Sequence, residues 1–113
     1  MLEDIKKLLE DNEVTVNKKQ GATPEEVVVI KSGAIKPKNN MVVTHMFDVQ
    51  IYSRKDVDEF TFKVYDILIR KVLSINGVGY PILEVAEDGV TEYKNSNLKK
   101  VEYRYSVDVI KRR

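Results

Sequence analysis

The chain has 113 residues, 42% of them apolar and 33% charged, the size and composition of one folded domain with its own core. With 19 Lys and Arg against 18 Asp and Glu, the formal net charge of +1 gives no global field to draw the protein onto nucleic acid or an anionic membrane. The absence of cysteine excludes disulfides, thiolate nucleophiles, iron–sulfur clusters and the usual structural zinc sites.

Leu2, Ile5, Leu8 and Leu9 recur at helical spacing among Lys6, Lys7 and Glu10, which predicts a short amphipathic helix over residues 2–10. Glu3 and Asp4 stand where a secretory signal carries bases, and no apolar run approaches the roughly 20 residues of a membrane span. The expectation is a cytosolic protein with no membrane partner. Val14 and Val16 alternate with Glu13, Thr15 and Asn17 as a first strand does. Residues 18–25 form a polar loop punctuated by Gly21 and Pro24. The run Val27-Val28-Val29-Ile30 is too short for a helix and rich in β-branched residues, and it reads as a central strand buried on both faces.

Residues 33–40, with Pro37 among them, read as a polar and basic connection. Beyond it Val43, His45, Phe47, Val49 and Ile51 share the core face of a long strand, opposite Thr44, Met46, Asp48, Gln50 and Tyr52. Asp56 then offers an N-cap with Glu59 three residues on, opening a helix over residues 57–75 that Asn76-Gly77 stops. The last third returns to strands over residues 80–86, 90–93 and 98–110, with turns at Asp88-Gly89 and Asn95-Ser96-Asn97. In the final strand Val101, Tyr103, Tyr105, Val107 and Val109 share one face. The predicted order is α-β-β-β-α-β-β-β. It describes one α+β domain over residues 1–113: a mostly antiparallel sheet of five to six strands, one long helix packed on it, and a short N-terminal helix.

The second helix is apolar over roughly two-thirds of its circumference. Val57, Phe60, Val64, Ile67 and Leu68 form the stripe assigned to the sheet. Phe62, Tyr65, Ile69 and Leu73 continue the apolar surface beyond it, leaving a polar strip of Glu59, Lys63, Asp66, Arg70 and Ser74. The strip pairs acid with base at Glu59/Lys63 and Asp66/Arg70. The second stripe, Phe62, Tyr65, Ile69 and Leu73, needs a cover, either the first helix or a neighbouring subunit.

No catalytic constellation emerges. His45 is the single histidine and sits on the inward face of a strand without a Ser or Cys nucleophile motif, so the chain is read as no enzyme, with no catalytic residue, no metal site and no cofactor. Asp56, Asp58 and Glu59 are explained by the positive end of the helix dipole. Glu84, Glu87, Asp88 and Glu92, with Asp48, would serve a small metal-dependent nuclease only by converging on one ion. Basic residues gather in two segments, Lys18, Lys19, Lys31, Lys36 and Lys38, and then Lys94, Lys99, Lys100, Arg104, Lys111, Arg112 and Arg113. Clustering of the second group on one surface would favour a nucleic-acid-binding module, whereas cross-strand pairing with the acids of residues 84–92 is the ordinary alternative.

The passage Phe47-Asp48-Val49-Gln50-Ile51-Tyr52-Ser53-Arg54 running into a helix near Asp56, behind an N-terminal helix and ahead of a basic, strand-rich C-terminus, resembles the tail terminator (tail completion) proteins of long-tailed bacteriophages and related contractile particles. The resemblance spans the chain as a pattern of organisation and carries no invariant motif. It implies a homo-oligomeric ring, usually a hexamer, made in the host cytoplasm and ending in the virion. There it would cap the head-proximal end of the tail tube and meet the head connector. Within it the stripe Phe62, Tyr65, Ile69 and Leu73 is a candidate subunit interface. The loop residues Lys18, Lys19, Gln20, Lys36, Pro37, Lys38 and Asn39 are candidate partner contacts. Lumen-facing lysines would lie near DNA in transit without reading its sequence. Another neck or head–tail joining protein is the alternative of the same class, and a nucleic-acid-binding α+β module the alternative of a different one.

Overall fold

The period-2 alternation of residues 42–53 and 98–110 places two long strands side by side, and the rest of the molecule is arranged around them. The computed structural model describes residues 1–16, 26–93 and 98–110. The loop expected at 18–25, the turn at Asn95-Ser96-Asn97, and Lys18, Lys19, Gln20, Lys94, Lys111, Arg112 and Arg113 lie outside the described residues. The elements are α1 (Leu2–Asp11), β1 (Glu26–Pro37), β2 (Val42–Ser53), α2 (Val57–Arg70), β3 (Leu73–Ile75), β4 (Val78–Tyr80), β5 (Leu83–Tyr93) and β6 (Leu98–Ile110). An antiparallel sheet of order β1-β2-β6-β5 carries the helices on one face, and β3-β4 is a separate hairpin. The α+β class is as the sequence predicts, but the order is α-β-β-α-β-β-β-β.

Five local expectations change. Val14 and Val16 are buried but form no strand; the segment makes a single parallel bridge, Val16 to Val28, and Val28 N donates to Thr15 O at 2.9 Å. The run Val27 to Ile30 is not central. It lies on the edge strand β1, and its buried members Val27, Val28 and Ile30 gain cover because residues 14–16 lie along the outer edge there. Residues 33–37 are not a loop but the end of β1, paired with β2 through a bulge between Ser32 and Ile35. Gly33 suits this bulge, since a Cβ there would stand 3.0 Å from the Met46 carbonyl oxygen.

The second helix ends at Arg70 and not at residue 75. Asn76 and Gly77 both have positive φ, 51° and 80°, the geometry of the tight hairpin turn that Asn-Gly favours, and it draws Leu73, Ser74 and Ile75 out of the helix into β3. In the same way Asp88-Gly89 is no turn. It lies within β5, where the register shifts between Glu87 and Gly89, so the pair serves as a bulge in a continuous strand.

The core lies between the sheet and the helices. Val57, Phe60, Val64, Ile67 and Leu68 of α2 are all buried, as their stripe predicts, against Phe47, Val49 and Ile51 of β2 and Tyr105 and Val107 of β6. Full burial of a side chain such as Leu68 is worth roughly 1.5–3 kcal/mol. Ile5 and Leu9 anchor α1, while Leu73, Tyr80 and Ile82 close the lower side. Asp56 caps α2, its Oδ1 accepting from the backbone N–H of Asp58 and Glu59 at 3.1 Å each. The molecule measures 50 × 25 × 25 Å, because the β1–β2 hairpin and the end of β6 run on past the helices.

Candidate functional site

Where β2 and β6 form it, the sheet's outer face is largely polar and internally paired, while Leu83 of β5 is exposed on the same face. Arg104 Nε meets Asp48 Oδ1 at 2.9 Å, Lys100 lies 3.7 Å from Glu102, and Asp108 accepts from Lys38 Nζ at 2.7 Å and from Thr44 Oγ1 at 2.6 Å. The hydrogen bonds from Lys38 and Thr44 hold the Asp108 carboxyl below the usual carboxylate range. Lys100 and Arg104 are therefore laced with acids, while Tyr103 and Tyr105 occupy the opposite face. Arg104 pairs with Asp48 of β2; of the β5 acids expected to pair across the sheet, the side chains of Glu87, Asp88 and Glu92 lie outside those described. Asp48 and Glu84 also fall on opposite faces of the sheet and do not converge on one ion. His45, expected among the core residues, is half-buried near the hairpin end between Ile35 and Val107 in register. Among the described residues no group of three or more His, Cys, Asp or Glu is placed to hold a metal.

The helix-bearing side is different. Asp58, Thr61, Phe62 and Tyr65 recur at i, i+3, i+4 and i+7 and so share one face of α2. With Glu84 of β5 and Tyr103 of β6 they line a groove of about 370 Å³. Its wall continues inward as an aromatic series: Tyr65 lies 6.3 Å from Tyr103, Tyr103 6.2 Å from Tyr105, and Tyr105 stacks on Phe47 at 5.6 Å. A side-chain hydrogen bond to Glu84 and that carboxylate's charge raise the Tyr65 phenol above its ordinary range. The Thr61 hydroxyl is buried without a hydrogen-bond partner among the described residues, although Thr61 lines the groove. Phe62 is 69% exposed, unusual for a phenylalanine in the middle of a helix.

The fold has a counterpart in a virion. A chain in the structure of the virion of a native gene transfer agent (GTA) particle is similar at a TM-score of 0.67 and 10% sequence identity, over 95% of this chain and 84% of that one. At that identity the likeness is one of fold. No family model and no curated protein matches the chain.

The candidate interface residues are thus divided by the structure. Phe62 projects from the molecule, Tyr65 and Ile69 are half-buried against the core, and Leu73 is fully buried in β3. α1 lies against α2 and β3, so part of the second stripe is covered within the chain. The polar strip keeps its Asp66–Arg70 pair at 2.7 Å. Lys36, Pro37, Lys38 and Asn39 are all exposed at the far end of the β1–β2 hairpin. Asn39 Oδ1 fixes that turn by accepting from Met41 N at 2.8 Å and Val42 N at 2.9 Å. Around it Ile35, Met41 and Ile110 are 59%, 68% and 50% exposed. The sequence reading reached Phe62 and Tyr65 but missed their grouping with Thr61, Glu84 and Tyr103. The helical spacing of Asp58, Thr61, Phe62 and Tyr65 was the available signal, and the bulged pairing of β5 on β6 was not.

Proposed function

We propose that the protein is a structural virion-assembly protein, a tail terminator whose copies form a ring capping the head-proximal end of a phage-like tail tube and joining it to the head connector. The observation that supports this reading is the likeness of nearly the whole chain to a chain of a gene transfer agent virion, a phage-like particle. Phe62 on α2 and the hairpin end with Ile35 and Met41 are exposed apolar regions in different places, and Val72, Leu83 and Val85 are exposed besides. Different patches make a heterologous contact, which closes into a ring when the rotation allows. The role is assembly without catalysis.

Purified protein is measured by light scattering across concentrations and mixed with tail-tube subunits for electron microscopy. The expected result is a ring, six-membered if the family pattern holds, bound at one end of each tube and limiting tube length. Binding to connector assemblies with indifference to tubes would replace this reading with that of another neck protein. A monomer that binds neither would overturn both.

A further inference from the structure

The groove beside α2 combines two carboxylates, Asp58 and Glu84, with the aromatic walls of Phe62, Tyr65 and Tyr103, and it is lined by Thr61, whose buried hydroxyl has no hydrogen-bond partner among the described residues. Thr61 is only 8% exposed, so its hydroxyl carries a desolvation cost that a ligand donor or acceptor would relieve. Carboxylates beside aromatic faces select a cation with an apolar stem, the chemistry of a lysine or arginine side chain. A complementary combination stands at the β1–β2 hairpin end of the same molecule. The hairpin end presents the exposed Lys36 between Ile35 and Pro37, with Met41 across the turn, and it projects past the helices. Its other lysine, Lys38, is engaged by Asp108.

We infer that the groove receives the β1–β2 hairpin end of a second copy of this chain, with the Lys36 ammonium held between Asp58 and Glu84 against the aromatic walls and Ile35 or Met41 covering Phe62. This deepens the ring reading and rests on it for the identity of the neighbouring copy. Acid meets base, and apolar meets apolar, when the two patches belong to different copies, and a head-to-tail series is the arrangement that the ring reading takes.

The test compares self-association by light scattering, with and without tail tubes, for wild type, Lys36→Glu, the double reversal Lys36→Glu/Glu84→Lys, and Lys71→Glu as a second exposed lysine flanked by an apolar residue. Thermal unfolding of each checks that the fold is intact. Lys36→Glu weakens association by roughly thirtyfold, the factor matching a desolvated cation–π contact. The double reversal recovers a large part of it, and Lys71→Glu leaves it unchanged. A fourth variant, Thr61→Val, keeps the side-chain shape; it weakens association while leaving the monomer's melting temperature unchanged or higher. Association that ignores Lys36→Glu, or that only Lys71→Glu weakens, overturns this contact and leaves the tail-terminator reading standing. Charge-sensitive association with no binding to tubes does the reverse, and a wild type monomeric in every condition overturns both.

Discussion

Replacing Tyr105 with phenylalanine should make the protein more stable. The Tyr105 side chain is fully buried, its ring is stacked on Phe47 at 5.6 Å, and its hydroxyl has no hydrogen-bond partner among the described residues. Phenylalanine keeps the ring and its packing and removes only the oxygen. An unsatisfied buried polar group costs about 1–3 kcal/mol, so Tyr105→Phe gains about 1 kcal/mol or more at neutral pH. For a domain of this size that is a rise of about 4 °C or more in Tm. The pH dependence gives a second reading of the same atom. Burial first, and then the charges of Glu84, Tyr103 and Tyr65, push the Tyr105 phenol far above its ordinary 10.0. A raised folded-state pKa means a contribution fully present below about 10 and lost as pH rises toward the folded value, because the unfolded chain ionises first. Phenylalanine has no such group, so the advantage of Tyr105→Phe widens above that pH by about 1.4 kcal/mol per unit. Urea unfolding of both proteins, followed by circular dichroism at neutral pH and at steps through the alkaline range, measures both effects. A loss of stability of about 1 kcal/mol or more at neutral pH would mean that the hydroxyl is satisfied in solution, and would refute the reasoning.

Two further changes probe the frame that positions the groove. Asp56→Ala removes the acceptor for two backbone N–H groups at the start of α2 and should cost about 1 kcal/mol in chemical denaturation. Asp108→Asn tests the outer face near the hairpin. The carboxyl's lowered pKa contributes stability that is present above the ordinary 3.8 and lost as pH falls through the folded value, so the wild type declines below about pH 4 and Asp108→Asn shows a shallower acid decline.

Periodicity made the main elements legible. The alternation of Phe47, Val49 and Ile51, and the stripe Phe60, Val64 and Leu68, carry over directly into buried positions, because period and burial report the same face. What the sequence obscured was punctuation. Asn76-Gly77 and Asp88-Gly89 are both turn signals, yet one closes a three-residue hairpin and the other bends a long strand. The difference is set by what the flanking residues pair with, and pairing is non-local. The same limit governed the groove. Asp58 and Glu84 read as separate acids, one belonging to a helix N-terminus and the other to a strand, until the packing of α2 against the β5–β6 edge placed them on one cavity. Tyr103 looked like core and is half core, half wall.

The distribution of satisfied and unsatisfied groups indicates which surfaces assembly would use. On the outer face of the sheet, acids and bases answer one another: Asp48 with Arg104, Glu102 with Lys100, and Asp108 with Lys38 and Thr44. A surface so paired gains little from a partner, because new contacts would first have to break existing ones. The groove side holds the buried hydroxyl without a partner, and it and the hairpin end expose Phe62, Ile35 and Met41. Covering these is favourable without disrupting anything already made. In the contact inferred above, the groove of one copy and the hairpin end of another would cover each other's exposed apolar residues. Any closed arrangement of copies, a reciprocal two-fold pair or the proposed ring, would leave neither patch open.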